Sequence, residues 1–376
     1  MKGKVFKSLL AVVCLLCSTN VSAYDFEVDG LYYEIISESD FTCKVARHES
    51  GYGLYRDDIV IPATVSYNNM TLTVLEVGQN AFGQCKGLTS VIIPNSVTTI
   101  GGWAFEECNN LESVEIPNSI NTIGDYAFSQ CYRLESIELP NSVTTIGALA
   151  FWECHRLTSV TIPNSVTMLG DHAFAGCARL ASVTLPNSIT TIEYGTFYDC
   201  IKLASIEIPN SVTTIGYGAF NLCHSLTNVT IPNSVTTIES AAFGGSRGLT
   251  SVTLGNSVSS IDIWAFIDCR ALTTLYSLNT TPPNIKFDTF DDRHYNEVDV
   301  YVPQEALEAY QSANVWKNFK NLHAISATEI EGIVPTTPNA KEIKRYDAAG
   351  HETNSNHKGL TIIKMSDGTT RKMMVK

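Results

Sequence analysis

Residues Leu88–Cys108 read LTSVIIPNSVTTIGGWAFEEC, and this phrase returns with small changes down most of the chain. Its phenylalanine recurs at Phe82, Phe105, Phe128, Phe151, Phe174, Phe197, Phe220, Phe243 and Phe266, always 23 residues apart. A fixed period in this range signals a solenoid, in which each coil contacts only its neighbours. The question is therefore what a stack of near-identical coils presents, rather than where a single cleft lies.

Periodicity changes within each coil. Val91 and Ile93 alternate as on one face of a strand. Pro94 follows and cannot donate to a ladder, so it marks the strand end. Asn95-Ser96 suits a turn. Val97 and Ile100 form a second, short side. Gly101 suggests another turn, but its equivalents are Glu193, Glu239 and Asp262 in later coils, so no positive φ is required there. Ala104, Phe105, Cys108 and Leu111 have the spacing of a helical turn with its apolar side inward. The expected fold is a solenoid of about nine 23-residue repeats. It has a parallel β-sheet on one side and short helical turns and irregular coil on the other. At about 4.8 Å per coil the stack runs on the order of 40 Å. Leu88, Val91, Ile93, Val97, Ile100, Phe105 and Cys108 each begin an inward lane that one coil alone cannot bury.

The ends depart from the pattern, as terminal units must if they are to cover an apolar face. Residues 24–58 are read as a β-rich N-terminal cap, with alternation at Leu31–Ile36. The repeats occupy 59–275, with a turn insertion at Tyr67–Met70. Residues 276–326 form a mixed C-terminal cap, including an amphipathic helix at Gln304–Ser312 with Ala306, Leu307 and Tyr310 on one face. Residues 327–341 are a polar linker, and 342–376 alternate again as a small β-rich tail.

Met1–Ala23 has the order of a secretory signal: Lys2, Lys4 and Lys7, then apolar Leu9–Cys17, then the small-residue site Val21-Ser22-Ala23. The apolar core is too short to span a membrane, and no later run approaches the required length. Cys14 and Cys17 raise a lipoprotein alternative, but Val13 and Leu16 stand before them where small residues are expected. The formal net charge is −13, and losing the three signal lysines leaves −16. No basic patch exists for phosphate, so nucleic acid is excluded as a partner.

The consensus L-x-S-V-x-I-P-x-S-V-T-x-I-G-x-x-A-F-x-x-C resembles the BspA-like leucine-rich repeats over roughly 59–275. That resemblance implies a leucine-rich-repeat solenoid on a secreted or surface-displayed bacterial protein, engaged in adhesion or host-protein binding. The tail, through Tyr346–Gly350, Lys358–Lys364 and Lys372–Lys376, is similar to the short sorting domains of type IX secretion. Neither resemblance carries a ligand, because the fixed residues of the repeat are structural.

Three groups of residues carry the candidate chemistry. Cys85, Cys108, Cys131, Cys154, Cys177, Cys200, Cys223 and Cys269 fill one lane, close enough for disulfides between neighbours. The alternative is a lane of buried thiols acting as small apolar groups, which Ser246 in the same slot favours. No second ligand type stands beside them, so no metal is expected. On the exposed strand face lie Glu112, Glu115, Glu135, Glu138 and Glu207, beside a basic lane of Arg133, Arg156, Arg179 and Lys202. Arg133 is expected near Glu112 and Glu135. This strip is either a solvated face with ion pairs worth under about 1 kcal/mol each, or a charged surface that orients a partner. Aromatics occupy slots filled by Gly or Ala in other coils, among them Trp103, Tyr132, Trp152, Tyr194 and Tyr198, with Tyr126, Tyr217 and Trp264. Exposed Trp and Tyr are interface anchors and also stack on sugars.

No cofactor motif, nucleophile with a matched base, or catalytic residue stands out. The close glutamates resemble a glycosidase pair only in number, since an open strip offers no cleft. The expected function is adhesion or binding of a host extracellular protein through the exposed strand face or, alternatively, a surface glycan-binding or structural scaffold role, with a hydrolase as the remaining class. Oligomeric state is not readable from the sequence.

Overall fold

The structure, a computed structural model, describes residues 24–48, 53–326, 342–347, 351–353, 359–365 and 370–375. The expected signal segment at 1–23 and linker at 327–341 lie outside the described residues.

The repeats stack into a parallel β-solenoid. The entry is built from β1 (Phe26–Val28), β2 (Leu31–Ser37) and β3 (Thr42–Val45), an antiparallel meander. Then come β4 (Arg56–Val60), β5 (Thr64–Tyr67) and β6 (Met70–Val77). β5 and β6 form a hairpin whose turn residues Asn68 and Asn69 both have positive φ, as a tight primed turn requires. β3 pairs in parallel with β6, and β6 with β8 (Thr99–Ile100), so the entry meander continues into the short side of the coils. β4 pairs in parallel with β7 (Gly87–Ile92), and β7 with β9 (Ser113–Glu115), on the strand side. The pairing of Val77 with Ile100 is the register the 23-residue spacing implies, while Ile59 pairs with Val91 across 32 residues because the first coil carries the Tyr67–Met70 turn insertion.

The turn count exceeds nine. The phenylalanine lane is extended by Tyr55 at one end, 4.9 Å from Phe82, and by Phe290 at the other, 5.2 Å from Phe266. Each cap thus supplies one further coil, and the solenoid has about eleven turns. Neither end carries the motif, which is why the period alone undercounts. The strand ladder likewise runs past residue 275, through Thr274–Ser277, Asp299–Pro303 and Asn321–Ile325.

The side expected to be helical is not. No helix occurs between Asn80 and Leu272; each coil there makes successive tight turns. Trp103 and Glu107 adopt φ of 56° and 54°, and the same two slots are left-handed in every coil from Asn80 to Asp268. The reason lies in the hydrogen bonds. Alternate N–H groups close local turns, as Ala104 to Gly101 O and Glu106 to Trp103 O. Those between them reach the next coil, as Trp103 to Asp125 O at 2.9 Å, Phe105 to Ala127 O at 2.8 Å and Glu107 to Ser129 O at 2.8 Å. A helix would turn all of these groups along its own axis and leave neighbouring coils unbonded.

The inward lanes are dry. Every phenylalanine from Phe82 to Phe266 is fully buried, and successive rings lie 5.1–6.0 Å apart within 12° of parallel. This is the offset stacking that aromatic quadrupoles favour. The cysteine lane is buried and its thiols are free, which decides between the two readings of it. Each thiol from Cys108 onward donates to the phenylalanine carbonyl of the preceding coil, as Cys177 to Phe151 O at 3.2 Å. Ser246 makes the same bond to Phe220 O at 2.8 Å, which explains its fit. Burial pushes the Cys177 thiol up to about 12, away from the thiolate that reactivity needs. Outside the lanes, threonines tie coils together: Thr144 Oγ1 donates to Asn121 O and Thr213 Oγ1 to Thr190 O, both at 3.1 Å.

At the closing end, Tyr310 and Trp316 are fully buried with rings 5.0 Å apart, near perpendicular. Trp316 Nε1 donates to Pro283 O at 2.7 Å. A 3₁₀ turn, Gln304–Ala306, runs into α-helix Leu307–Ser312, as the apolar spacing predicts, and Ala306 and Tyr310 face inward. His294 is fully buried; its Nδ1 accepts from the Asp291 N–H at 3.1 Å and its Nε2 faces Cys269 O at 3.0 Å. The tail strands Glu342–Asp347, Glu352–Thr353, Gly359–Met365 and Thr370–Val375 form a four-stranded antiparallel sheet.

Two stability predictions follow from this packing. Cys177→Ala removes a buried donor and leaves a small void, and is expected to destabilise by about 1–3 kcal/mol. Cys177→Ser keeps the bond that Ser246 already makes, and is expected to lose less. Denaturant midpoints of the two variants check this, and equal losses would overturn it. For His294, burial first, and the Arg293 cation, lower its proton affinity, while the Cys269 carbonyl, Asp291 and Glu297 raise it in part. The folded state thus favours neutral imidazole, so stability is full above the unfolded value of about 6.5 and falls as pH drops through it. The melting temperature is expected to fall between pH 7.5 and 5.5, with a shallower slope in His294→Gln; identical slopes would refute the assignment.

Candidate functional site

Because the core is sealed, anything recognised must meet the outer slots. On the strand side, each coil turns one apolar residue inward and its two flanking residues out. Val114 is buried while Ser113 and Glu115 are exposed, and Ile137 is buried between exposed Ser136 and Glu138. The five glutamates of the strip, Glu112, Glu115, Glu135, Glu138 and Glu207, are all exposed.

The basic lane pairs one coil back. Arg133 Nη1 lies 3.1 Å from Glu112 and Arg156 Nη1 lies 3.0 Å from Glu135. Arg133 therefore takes Glu112, and Glu135 goes to the following arginine. The offset is 21 residues, so the same step from Arg179 and Lys202 arrives at Thr158 and Ala181. Among the described residues, Arg179 and Lys202 consequently make no ion pair, and neither do Glu115, Glu138 and Glu207. Four of the nine charged residues of the strip are neutralised by the fold, and the other five are not.

Two exposed aliphatic side chains adjoin the unpaired glutamates. Val60 and Ile92 are partners in the β4–β7 register, and Ile92 is in turn opposite Glu115. They are 64% and 46% exposed and lie side by side on the outer face. Sequence reasoning passed over them, although both stand in the outward slot that later coils fill with Glu or Thr. Close by, Asp58 accepts from Thr89 at 2.8 Å and Ser90 at 2.7 Å, which holds its carboxyl below the usual range.

The aromatics do not form one surface. Trp103 is half-buried and stacks on Tyr126 at 5.3 Å, in the left-handed slot. Tyr132 is half-buried, stacks on His155 at 4.9 Å, and its phenol is pushed up by burial and by Glu153 and Glu107. Trp152 is half-buried and has no ring partner among the described residues. Tyr194 and Tyr198 are exposed and share a cluster with His172 and Tyr217. His172 is a member that residue type alone did not reveal, because it stands in the lane of Trp103 and Tyr126. Trp264 is exposed near the end of the array, away from these.

The chemistry available is recognition. The four glutamates at 112–138 sit on an open face. A shallow concavity at the closing end is lined by Asp268, Arg270, Asp291, Asp292 and Arg293. Most of its charges are engaged: Asp268 with Arg247 and Arg270, Arg293 with Glu297, and Asp291 beside His294 at 3.8 Å. Among the described residues there is no group of three or more His, Cys, Asp or Glu placed to hold a metal ion. No helix there is long and apolar enough to cross a membrane.

Comparison with known proteins agrees with this architecture. The family of the BspA type leucine-rich repeat region matches in six copies, over residues 64–181 and 144–273. Among solved structures, the chain is similar to a leucine-rich repeat protein from Bacteroides ovatus ATCC 8483. The identity is 30%, the match covers 76% of this chain and 80% of that one, and the TM-score is 0.56. It is also similar to a leucine-rich cell surface protein from Faecalibacterium prausnitzii A2-165, at 26% identity, 82% and 97% coverage and TM-score 0.52. No curated protein matches. Coil for coil, then, the repeat, its sealed lanes and its match over more than half the sequence place this chain in the BspA-type leucine-rich repeat family.

Proposed function

We propose that this is a non-enzymatic binding protein, exported to the bacterial surface, that takes a host extracellular polypeptide on its strand face. One observation carries the reading: the fold neutralises Glu112 and Glu135 but leaves Glu115 and Glu138 exposed, next to the aliphatic pair Val60 and Ile92. Unpaired charge beside exposed apolar area is the make-up of an interface, with a small anchor and a charged rim. Further along the strip, Arg179 and Lys202 stand unpaired with the opposite sign alongside Glu207, so the unpaired charge is acidic near the entry and mixed beyond it. Such a pattern orients a partner and speeds its encounter more than it adds affinity. The array needs no cofactor for this.

Export is supported by the residue order of Met1–Ala23 and by the similarity of the tail to type IX sorting domains. The relative from Faecalibacterium prausnitzii is described as a cell surface protein.

Two measurements test these readings. With immobilised fibronectin and other matrix proteins as probes, Glu115→Lys with Glu138→Lys is expected to slow association roughly tenfold at low salt. The difference should shrink as salt is added, with the melting temperature unchanged. Unaltered association for every bound partner would sink the strand-face reading. In the native host, removing residues 342–376 is expected to abolish surface display while leaving the folded array in the cell; undiminished display would exclude a sorting role for the tail.

A further inference from the structure

The second outer surface lies on the turn side, where His172, Tyr194, Tyr198 and Tyr217 converge. Tyr194 and Tyr217 occupy the same slot in successive coils, with ring centroids 5.0 Å apart at 80°. His172 meets Tyr194 edge-on at 4.4 Å, and Tyr198 at 6.4 Å. The three tyrosines are 46%, 41% and 43% exposed.

Nothing in the coil requires them. The slot of Tyr194 and Tyr217 holds Gly102, Asp125, Ala148, Asp171 and Ser240 in other coils, and the slot of Tyr198 holds Gly83, Ser129, Ala175 and Gly244. Their neighbours have been cleared for them. Gly195 and Gly218 fill the left-handed lane beside the two tyrosines, where other coils carry Trp103, Tyr126 and Trp264. A Cβ on Gly195 would lie 2.5 Å from the His172 ring, so glycine at this position admits that ring.

The cluster is also rigid. The Tyr194 and Tyr217 carbonyls accept inter-coil bonds from His172 N–H at 2.7 Å and Gly195 N–H at 2.9 Å. Tyr198 O accepts from Gly176 N–H at 2.7 Å, and the Tyr217 N–H donates to the Glu239 carboxylate at 2.9 Å. The backbone that carries these rings is held at the coil spacing before any ligand arrives, which lowers the ordering cost of binding.

Carboxylates border the rings. Glu193 is half-buried beside Tyr194, and burial first, then the charges of Asp171 and Glu239, raise its proton affinity. Three acidic groups would repel an anionic polymer. Aromatic faces accept the apolar C–H face of a pyranose, and carboxylates accept hydrogen bonds from its hydroxyls. Tyr194 and Tyr217 repeat one coil apart and each keeps over two-fifths of its surface exposed, so aromatic surface is offered in a step of one coil along the rod.

We propose that His172, Tyr194, Tyr198 and Tyr217, bordered by Asp171 and Glu193, form a binding site for a neutral polysaccharide lying along the turn edge of the solenoid. Successive sugars step with successive coils. The site is separate from the strand face, and the proposal does not depend on the polypeptide partner placed there.

The test uses the full-length mature chain with cellohexaose, mannohexaose and xylohexaose as probes, and oligogalacturonate as the anionic control, followed by calorimetry and intrinsic fluorescence. Saturable binding of at least one neutral hexasaccharide is expected, with none of the oligogalacturonate. Tyr194→Ala and Tyr217→Ala together are expected to weaken it at least tenfold, and Glu193→Gln severalfold. Both alanines are safe for the fold, since Ala148 stands in the same slot, and an unchanged melting temperature verifies this. Trp264→Ala and the strand-face pair Glu115→Lys, Glu138→Lys are expected to leave it unaltered, so the two surfaces stand or fall separately. The proposal is overturned by an absence of saturable binding to all three neutral probes, or by binding that survives the double tyrosine variant. Capture of a matrix protein that is lost in that variant, without glycan binding, overturns it in favour of a protein partner.

Discussion

The phenylalanine of each coil is tied to its neighbours in three ways, and the rest of the solenoid depends on that tie. Its ring stacks on the rings before and after it, 5.1–6.0 Å away. Its N–H donates to the next coil, as Phe105 to Ala127 O, and its carbonyl accepts the next coil's thiol, as Phe105 O from Cys131. The phenylalanine is the largest side chain that each coil buries completely. Because the bonds are between coils, the coil has no stability to keep for itself. The array closes only where Tyr55 and Phe290 supply the same ring without the motif.

That constraint sets the backbone of the turn side. Directing every second N–H to the next coil places two residues per coil in the left-handed region, at a local cost of about 1–2 kcal/mol for a residue with a side chain. Several coils meet this with Gly195, Gly218, Gly176 or Gly245, and others accept it at Trp103, Leu149 or Trp264. In the first of the two slots, Gly195 and Gly218 stand beside the exposed rings of Tyr194 and Tyr217. Where Trp103 and Tyr126 stand, the adjoining residues are Gly102 and Asp125. Strain and surface decoration are thus linked at that slot.

On the strand side the governing quantity is the one-coil offset between charges. Glu112 and Glu135 meet Arg133 and Arg156, both exposed pairs of small energetic weight. Glu115, Glu138 and Glu207, with Arg179 and Lys202, make no ion pair among the described residues. Val60 and Ile92 add exposed apolar area beside those unpaired groups.

Much of the molecule was legible from residue types at a fixed period. The inward lanes, the parallel register, the helix at Leu307–Ser312 and the equivalence of Ser246 with cysteine follow from which side chains recur and which do not. Inward identity is readable because burial restricts side chains strongly. The charged strip was legible as a strip, whereas the aromatics divide into exposed Tyr194 and Tyr198 and half-buried Trp103, Tyr132 and Trp152. The helical turn expected at Ala104–Leu111 was not found, because 3.6-residue spacing of apolar groups is also produced by turns whose hydrogen bonds run between coils. Side-chain pattern reports which way a residue faces; it does not report φ at Trp103 or Glu107, where no glycine advertises it. Tertiary structure alone decided that Arg133 takes Glu112 while Arg179 takes nothing, that Tyr194 meets His172, and that the caps add turns of their own. Each of these depends on distances between residues one coil apart, and a 23-residue separation in sequence becomes a contact only once the stack has formed.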